Sequence, residues 1–171
     1  MVPVPNRSVL RAALESTGDT VTNFLEQLVG ESIDAQVHHQ DIARAPSSND
    51  LQVVEGEPLL QRAATLCGHK SGSPYVYAES AIVTSRLPAR FILRLQSGNE
   101  PIGRILDEMG IAVTRKHLAE PPGFAVSRRE GATKVSDSLL VRTYRIESER
   151  IPVMVITEWF LKTLSPFLSS A

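Results

Sequence analysis

Three ionisable residues stand where a strand pattern calls for apolar ones. The run Ile151-Pro152-Val153-Met154-Val155-Ile156-Thr157-Glu158-Trp159-Phe160 is apolar at almost every position, so both faces of that strand should be covered and Glu158 buried. Arg62 interrupts the run Leu59 to Cys67, and Glu79 interrupts Tyr75 to Val83, in the same way. Burying an unpaired charge is costly, so each group must find a counter-charge, titrate to neutrality or serve a ligand. A carboxyl in apolar surroundings has its pKa raised and can act as a general acid near neutral pH. A buried arginine offers a planar fork that fits a carboxylate. Periodicity alone leaves two readings open: a ligand site, or a buried Arg–Glu pair that only fixes strand register.

A second feature is Glu100-Pro101-Ile102-Gly103-Arg104-Ile105-Leu106, with Pro at an expected first helical position. Such a start leaves backbone N–H groups without intrahelical acceptors, and Gly103 would let a ligand approach the backbone closely. A carboxylate fits there, although every helix has an N-terminus and most meet only water.

The elements that must hold these residues follow from periodicity. Ser8 to Ser16 and Val21 to Val29 have helical spacing and are separated by Thr17-Gly18-Asp19-Thr20, a helical hairpin. Alternation from Ile33 predicts a strand, closed by the polar loop at Pro46 to Asp50. Leu59 to Cys67 and Tyr75 to Val83 should pair antiparallel through Gly68 to Pro74. Leu87 to Leu95 is helical, with Pro88 in its first turn, and a second helix starts near Pro101. Ile111 to Val113 opens a further short strand, broken at Pro121-Pro122-Gly123, and Ser127 to Ser138 is a polar loop. Leu139 to Ile146 and Ile151 to Phe160 form a hairpin around Glu147-Ser148-Glu149-Arg150. Hairpins dominate without β-α-β alternation, which argues for α+β with an antiparallel sheet. No repeat or linker divides residues 1–171, so one domain is expected.

Composition excludes several classes. The chain is 42% hydrophobic and 22% charged with a net charge of −1, and it has no apolar run near membrane-spanning length. Only 5% of residues are aromatic and the cations are scattered, which argues against nucleic acid as a partner. The start Met-Val-Pro-Val-Pro-Asn does not resemble a secretory leader, and Cys67 is the only cysteine, so a cytoplasmic location is the expectation. His38-His39 and His117 lack acidic or cysteine partners at ligand spacing and read as surface histidines rather than a metal site. Cys67 reads as a small buried hydrophobe, Arg128-Arg129 as solvated surface, and Trp159 as packing on the face opposite Glu158.

Four landmarks in order resemble the chorismate pyruvate-lyase family, and within it the actinobacterial and archaeal branch. They are Leu60-Gln61-Arg62; Ala78-Glu79-Ser80-x-Ile82 with Leu87-Pro88; Pro101-Ile102-Gly103-x-Ile105-Leu106; and Val155-Ile156-Thr157-Glu158-x-Phe160-Leu161. The similarity runs from about Ser16 to Leu164. It implies a six-stranded antiparallel sheet with helices on one side and helical flaps over an internal ligand. It also implies conversion of chorismate to 4-hydroxybenzoate and pyruvate without metal or redox cofactor. Carried over by motif, Arg62 and the Ile102 N–H would take the ring carboxylate beside Gly103. Glu158 would be the acid at the other end, and Val21-Thr22 would be the flap contact.

One departure is Glu79, where the proteobacterial branch tends to carry Arg. Glu79 is expected either to pair with a cation such as Arg142 or Arg62, or to alter substrate handling at the site. Two other readings share the fold: a catalytic relative acting on another shikimate-derived metabolite, and the effector-binding domain of a transcription regulator. The latter normally follows a winged helix, for which no room is seen before Ile33.

Overall fold

The computed structural model describes residues 4–47, 49–118 and 138–168. Two helices open the chain, α1 (Val4–Ser16) and α2 (Val21–Val29), followed by strands β1 (Ile33–Arg44), β2 (Pro58–Gly68) and β3 (Pro74–Ile82). Helices α3 (Ala89–Ser97) and α4 (Ile102–Glu108) lead to β4 (Thr114–Leu118), β5 (Leu140–Ser148) and β6 (Ile151–Phe160), and α5 (Ser165–Leu168) ends the described chain. The strands form one antiparallel sheet in the order β1-β2-β3-β6-β5-β4. Two three-stranded meanders therefore meet along the central β3–β6 pair. This is the α+β architecture expected from the hairpin pattern.

The helices cover one face of the sheet in two groups. Leu10, Leu14, Leu25 and Leu168 of α1, α2 and α5 pack on Ala64, Leu66, Val76 and Phe160. Phe91, Leu95, Ile105 and Leu106 of α3 and α4 pack on Leu60, Ile82, Tyr144 and Ile156. The same face carries Arg62, Ser80 and Glu158, because successive residues of a strand alternate faces and Arg62↔Ser80↔Ile156 are cross-strand partners. The seam between the two apolar groups is thus where the charged residues lie. No helix among the described residues is long and apolar enough to cross a membrane.

Boundaries differ from the sequence expectation where packing overrides pattern. Pro88 and Pro101 are N-caps rather than first-turn residues, with extended ψ angles of 139° and 143°. The strand expected at Ile111 to Val113 begins three residues later. Ile111 and Val113 are apolar because they pack against the α3–α4 cluster, not because they join a ladder. The breaker at 121–123 and the polar loop with Arg128 and Arg129 lie outside the described residues.

On α3, Phe91 is fully buried while Leu93 is 65% exposed. Phe91→Ala should lower unfolding stability by about 3–5 kcal/mol, whereas Leu93→Ala should stay within about 0.5 kcal/mol, both read from denaturant midpoints.

Candidate functional site

Arg62 projects from β2 towards the start of α4 and is 3% exposed. Its Nη2 donates to the Glu100 carbonyl at 2.9 Å, while Nε is buried without a partner among the described residues. Among the described residues no carboxylate forms an ion pair with it. Burial draws its pKa down to about 10, so the guanidinium remains charged at neutral pH. The Thr22 hydroxyl of α2 is also buried and unpartnered. Both groups line one cleft, together with Val21, Ile102 and Gly103. A buried donor left unmade costs about 1–3 kcal/mol, so a ligand that accepts from Arg62 Nε relieves a real penalty. Ile102 is the first residue of α4, and its N–H belongs to the turn that lacks intrahelical acceptors.

At the other side of the cleft the charge is fully engaged. Glu158 Oε1 accepts from Arg142 Nε at 2.6 Å, and Oε2 accepts from the Tyr144 hydroxyl at 2.8 Å. Arg142 is the cross-strand partner of Glu158, and its guanidinium also lies over the rings of Tyr144 and Phe160, at 5.0 and 5.4 Å from their centroids. Burial works to lower the pKa of Arg142, but attraction to Glu158 and Tyr144 with their hydrogen bonds outweighs it and holds it above the ordinary value. Burial, reinforced by the Glu158 charge, pushes the Tyr144 hydroxyl well above the usual phenol range, so it stays a donor. The apolar surroundings expected for Glu158 thus contain two donors aimed at it.

Two strand spacings and two residues of strand separate Arg62 from Glu158, roughly 12 Å between Cα atoms by ordinary sheet geometry. Between them the floor is Ala78, Ser80 and Ile156, and the cover is Leu106 and Ile102. The arrangement suits a flat, mostly apolar molecule with an anionic head at Arg62 and a group that exchanges a proton near Glu158.

A family model described as chorismate pyruvate-lyase Rv2949c-like matches residues 16–168. The chain belongs to this family. A curated relative named chorismate pyruvate-lyase from Mycobacterium tuberculosis (strain H37Rv) is 29% identical over 163 residues, covering 91% of this chain and 80% of its own length. Another of that name from Mycobacterium leprae is 29% identical over 156 residues, covering 88% and 73%. Among solved structures, PhnF from Mycobacterium smegmatis aligns with a TM-score of 0.55 at 14% identity, over 86% of this chain and 66% of that one. The effector domain of PhnF aligns at 0.54 with 16% identity, over 85% and 90%. These two likenesses show a shared fold.

In this chorismate pyruvate-lyase family member, the fold brings Arg62, Glu158, Ile102, Gly103, Val21 and Thr22 to one cleft, and leaves Glu79 out of it. Glu79 is 7% exposed and accepts from the Tyr77 hydroxyl at 2.9 Å. Its cross-strand partners are Ala63 and Thr157, on the opposite face from Arg62 and Arg142. The expected pairing of Glu79 with either arginine, and its place in the site, therefore fail on strand alternation. Trp159 packs with Tyr77 and Ala63 on that same far face, as expected. Cys67 is only half-buried, and burial raises its thiol pKa, with the nearby Asp34 adding to the rise. His38 bonds to Thr65 rather than to an acid, and no group of three metal-ligating side chains occurs among the described residues.

Reading the sequence missed Tyr144 and Arg115 as cleft residues and mistook the partner of Arg142. Tyr144 and Arg142 alternate with Ile146, a legible period of two, but their pairing depends on register. A two-residue turn, with Glu149 and Arg150 at positive φ, joins β5 to β6. A bulge at Ile146/Glu147 then shifts the ladder by one residue. Counting back from the turn without that bulge would set Val141, not Arg142, opposite Glu158.

The anchor end has its own support. Arg94 of α3 grips Glu100 with Nε and Nη2 at 2.7 and 2.6 Å, and Nη2 also reaches Glu108 at 3.0 Å. Glu100 precedes α4 and Glu108 ends it, so one guanidinium ties both ends of the helix whose start faces Arg62. With side chains a third to a half exposed, the pairs themselves add little stability. Arg94→Ala should weaken binding of an aromatic carboxylate by roughly fivefold, about 1 kcal/mol, with a near-unchanged melting temperature, measured by calorimetry. A Cβ on Gly103 would lie 2.9 Å from Thr20 Cβ and 3.2 Å from Thr22 Oγ1. Gly103→Ala should therefore push α2 from α4, with a loss of about 1–3 kcal/mol in thermal unfolding and weaker ligand binding.

Proposed function

We propose that the protein eliminates pyruvate from chorismate to give 4-hydroxybenzoate. The observation that carries this reading is the pair of buried ionic heads on opposite sides of one apolar cleft, one of them with an unfilled donor. The family match over residues 16–168 supports chorismate as the substrate.

Arg62, with the Ile102 N–H, takes the ring carboxylate and fixes the ring over Ala78 and Ile156. Glu158 works at the ether. It takes the proton from the neighbouring ring carbon as the ring becomes aromatic and hands it to the enolpyruvyl oxygen as the ring C–O bond breaks. Enolpyruvate leaves and becomes pyruvate. The sum is an elimination with no net oxidation, driven by aromatisation. Arg142 and Tyr144 hold the Glu158 carboxyl in one orientation, which is what positioning for proton transfer requires. The cleft closes around a product that keeps the Arg62 contact, so product departure is expected to be slow.

Mixing the protein with chorismate and following pyruvate by a coupled dehydrogenase and 4-hydroxybenzoate by chromatography tests the reading directly. Turnover of both in equal amounts is expected. Binding of 4-hydroxybenzoate without release of pyruvate would sink it and favour a ligand-binding role like that of a regulator's effector domain. Glu158→Gln should lower kcat by about 100-fold or more while 4-hydroxybenzoate still binds, whereas Arg62→Ala should lose both. Equal unfolding of the two variants, seen by melting, would instead assign both residues to the scaffold alone.

A further inference from the structure

Arg115 on β4 stands out as an uncommitted cation at the Glu158 end of the cleft. The β4–β5 register pairs Arg115 with Ile146 and His117 with Tyr144, so both side chains share the face that carries Glu158. Arg115 is half-buried, and no ion pair or side-chain hydrogen bond among the described residues involves it. By contrast, Arg142 is bound to Glu158. The charge of Arg115 reaches the Tyr144 hydroxyl, where it offsets part of the rise caused by burial and by Glu158.

Arg115 also lines a second cavity, of about 370 Å³, that adjoins the cleft and shares Thr20, Val21 and Arg115 with it. Arg142 and His117 face this space from the sheet, and Glu15 and Asp19 face it from the end of α1 and the segment after it. Asp19 is already occupied by the Thr20 N–H and the Asn23 amide, at 2.9 and 2.7 Å. The cleft therefore has one guanidinium open to a ligand at each end, Arg62 and Arg115.

A single carboxylate needs only one of them. Chorismate carries two: one on the ring, and one on the enolpyruvyl arm that leaves. The arm must come close to Glu158 for proton transfer, and Arg142 is already taken by Glu158, so the carboxylate of the arm needs a cation of its own. We propose that Arg115 binds the carboxylate of the enolpyruvyl arm and that the cavity bounded by Arg115, His117 and Arg142 receives the departing pyruvate. This rests on chorismate being the substrate. The mixed charges of the cavity, three cationic or basic groups against two acids, favour a transient stay for a small anion over tight retention.

Substrate and product differ at this contact, which gives a selective test. Arg115→Gln should raise KM for chorismate by about 10- to 100-fold, the value of one charge-assisted contact. Calorimetric affinity for 4-hydroxybenzoate, which lacks the second carboxylate, should stay within about threefold of wild type. Arg115→Lys should recover part of the loss, since it keeps the charge without the fork. An unchanged KM in Arg115→Gln overturns the proposal, as does an equal weakening of KM and 4-hydroxybenzoate affinity. A wild-type protein that releases no pyruvate overturns the lyase reading and this proposal with it, whereas failure of the Arg115 variants in an active lyase overturns only this one.

Discussion

Everything at the centre of this molecule is arranged around one buried carboxylate. Glu158 sits on β6, which forms the middle of the sheet with β3, and is 1% exposed. Such a charge is tolerable only if both oxygens are satisfied, because removing one partner of a buried pair costs about 3–5 kcal/mol. Arg142 and Tyr144 meet that demand from the neighbouring strand, and the guanidinium is itself sandwiched against Tyr144 and Phe160. Strand register, aromatic packing and carboxylate orientation are therefore one coupled unit.

The two ends of the cleft differ in a way that has functional meaning. The Glu158 end is internally satisfied, and Arg142 and Tyr144 hold its carboxylate in one orientation. The Arg62 end is incomplete: Nε and the Thr22 hydroxyl are buried without partners among the described residues. On the proposed reading an anion bound there would complete the hydrogen bonding, and its affinity would draw on a deficit in the folded protein. The support comes from a distance, through Arg94 holding Glu100 and α4.

The helical cover explains why such a deficit survives folding. Its two apolar groups pack on different stretches of the same central strands, one about Leu66, Val76 and Phe160 and the other about Leu60, Ile82 and Ile156, and their buried leucines, isoleucines and phenylalanines carry the stability. The seam between them contributes little to that core, so it can hold strained or unpaired polar groups. Across that seam α4 packs tightly against the start of α2, where Gly103 leaves no room for a side chain beside Thr20 and Thr22.

Much of this was legible in the residues alone. Hairpin-length connections and period-two apolar runs gave the antiparallel sheet, and the misplaced charges Arg62 and Glu158 picked out two residues of the cleft, because burial makes an ionisable group conspicuous in any apolar strand. The Pro101–Gly103 step announced the helix start, although its boundary moved by one residue. What the sequence could not supply was which charge meets which. Glu79 looked like a partner for Arg62 or Arg142, yet alternation sends it to the far face. The single bulge at Ile146/Glu147 sets Arg142 opposite Glu158, and the pairing of a short edge strand brings Arg115 to the cleft. Those facts are long-range. A strand's composition fixes that it is buried, whereas a one-residue shift in register, which leaves composition untouched, decides which side chains touch.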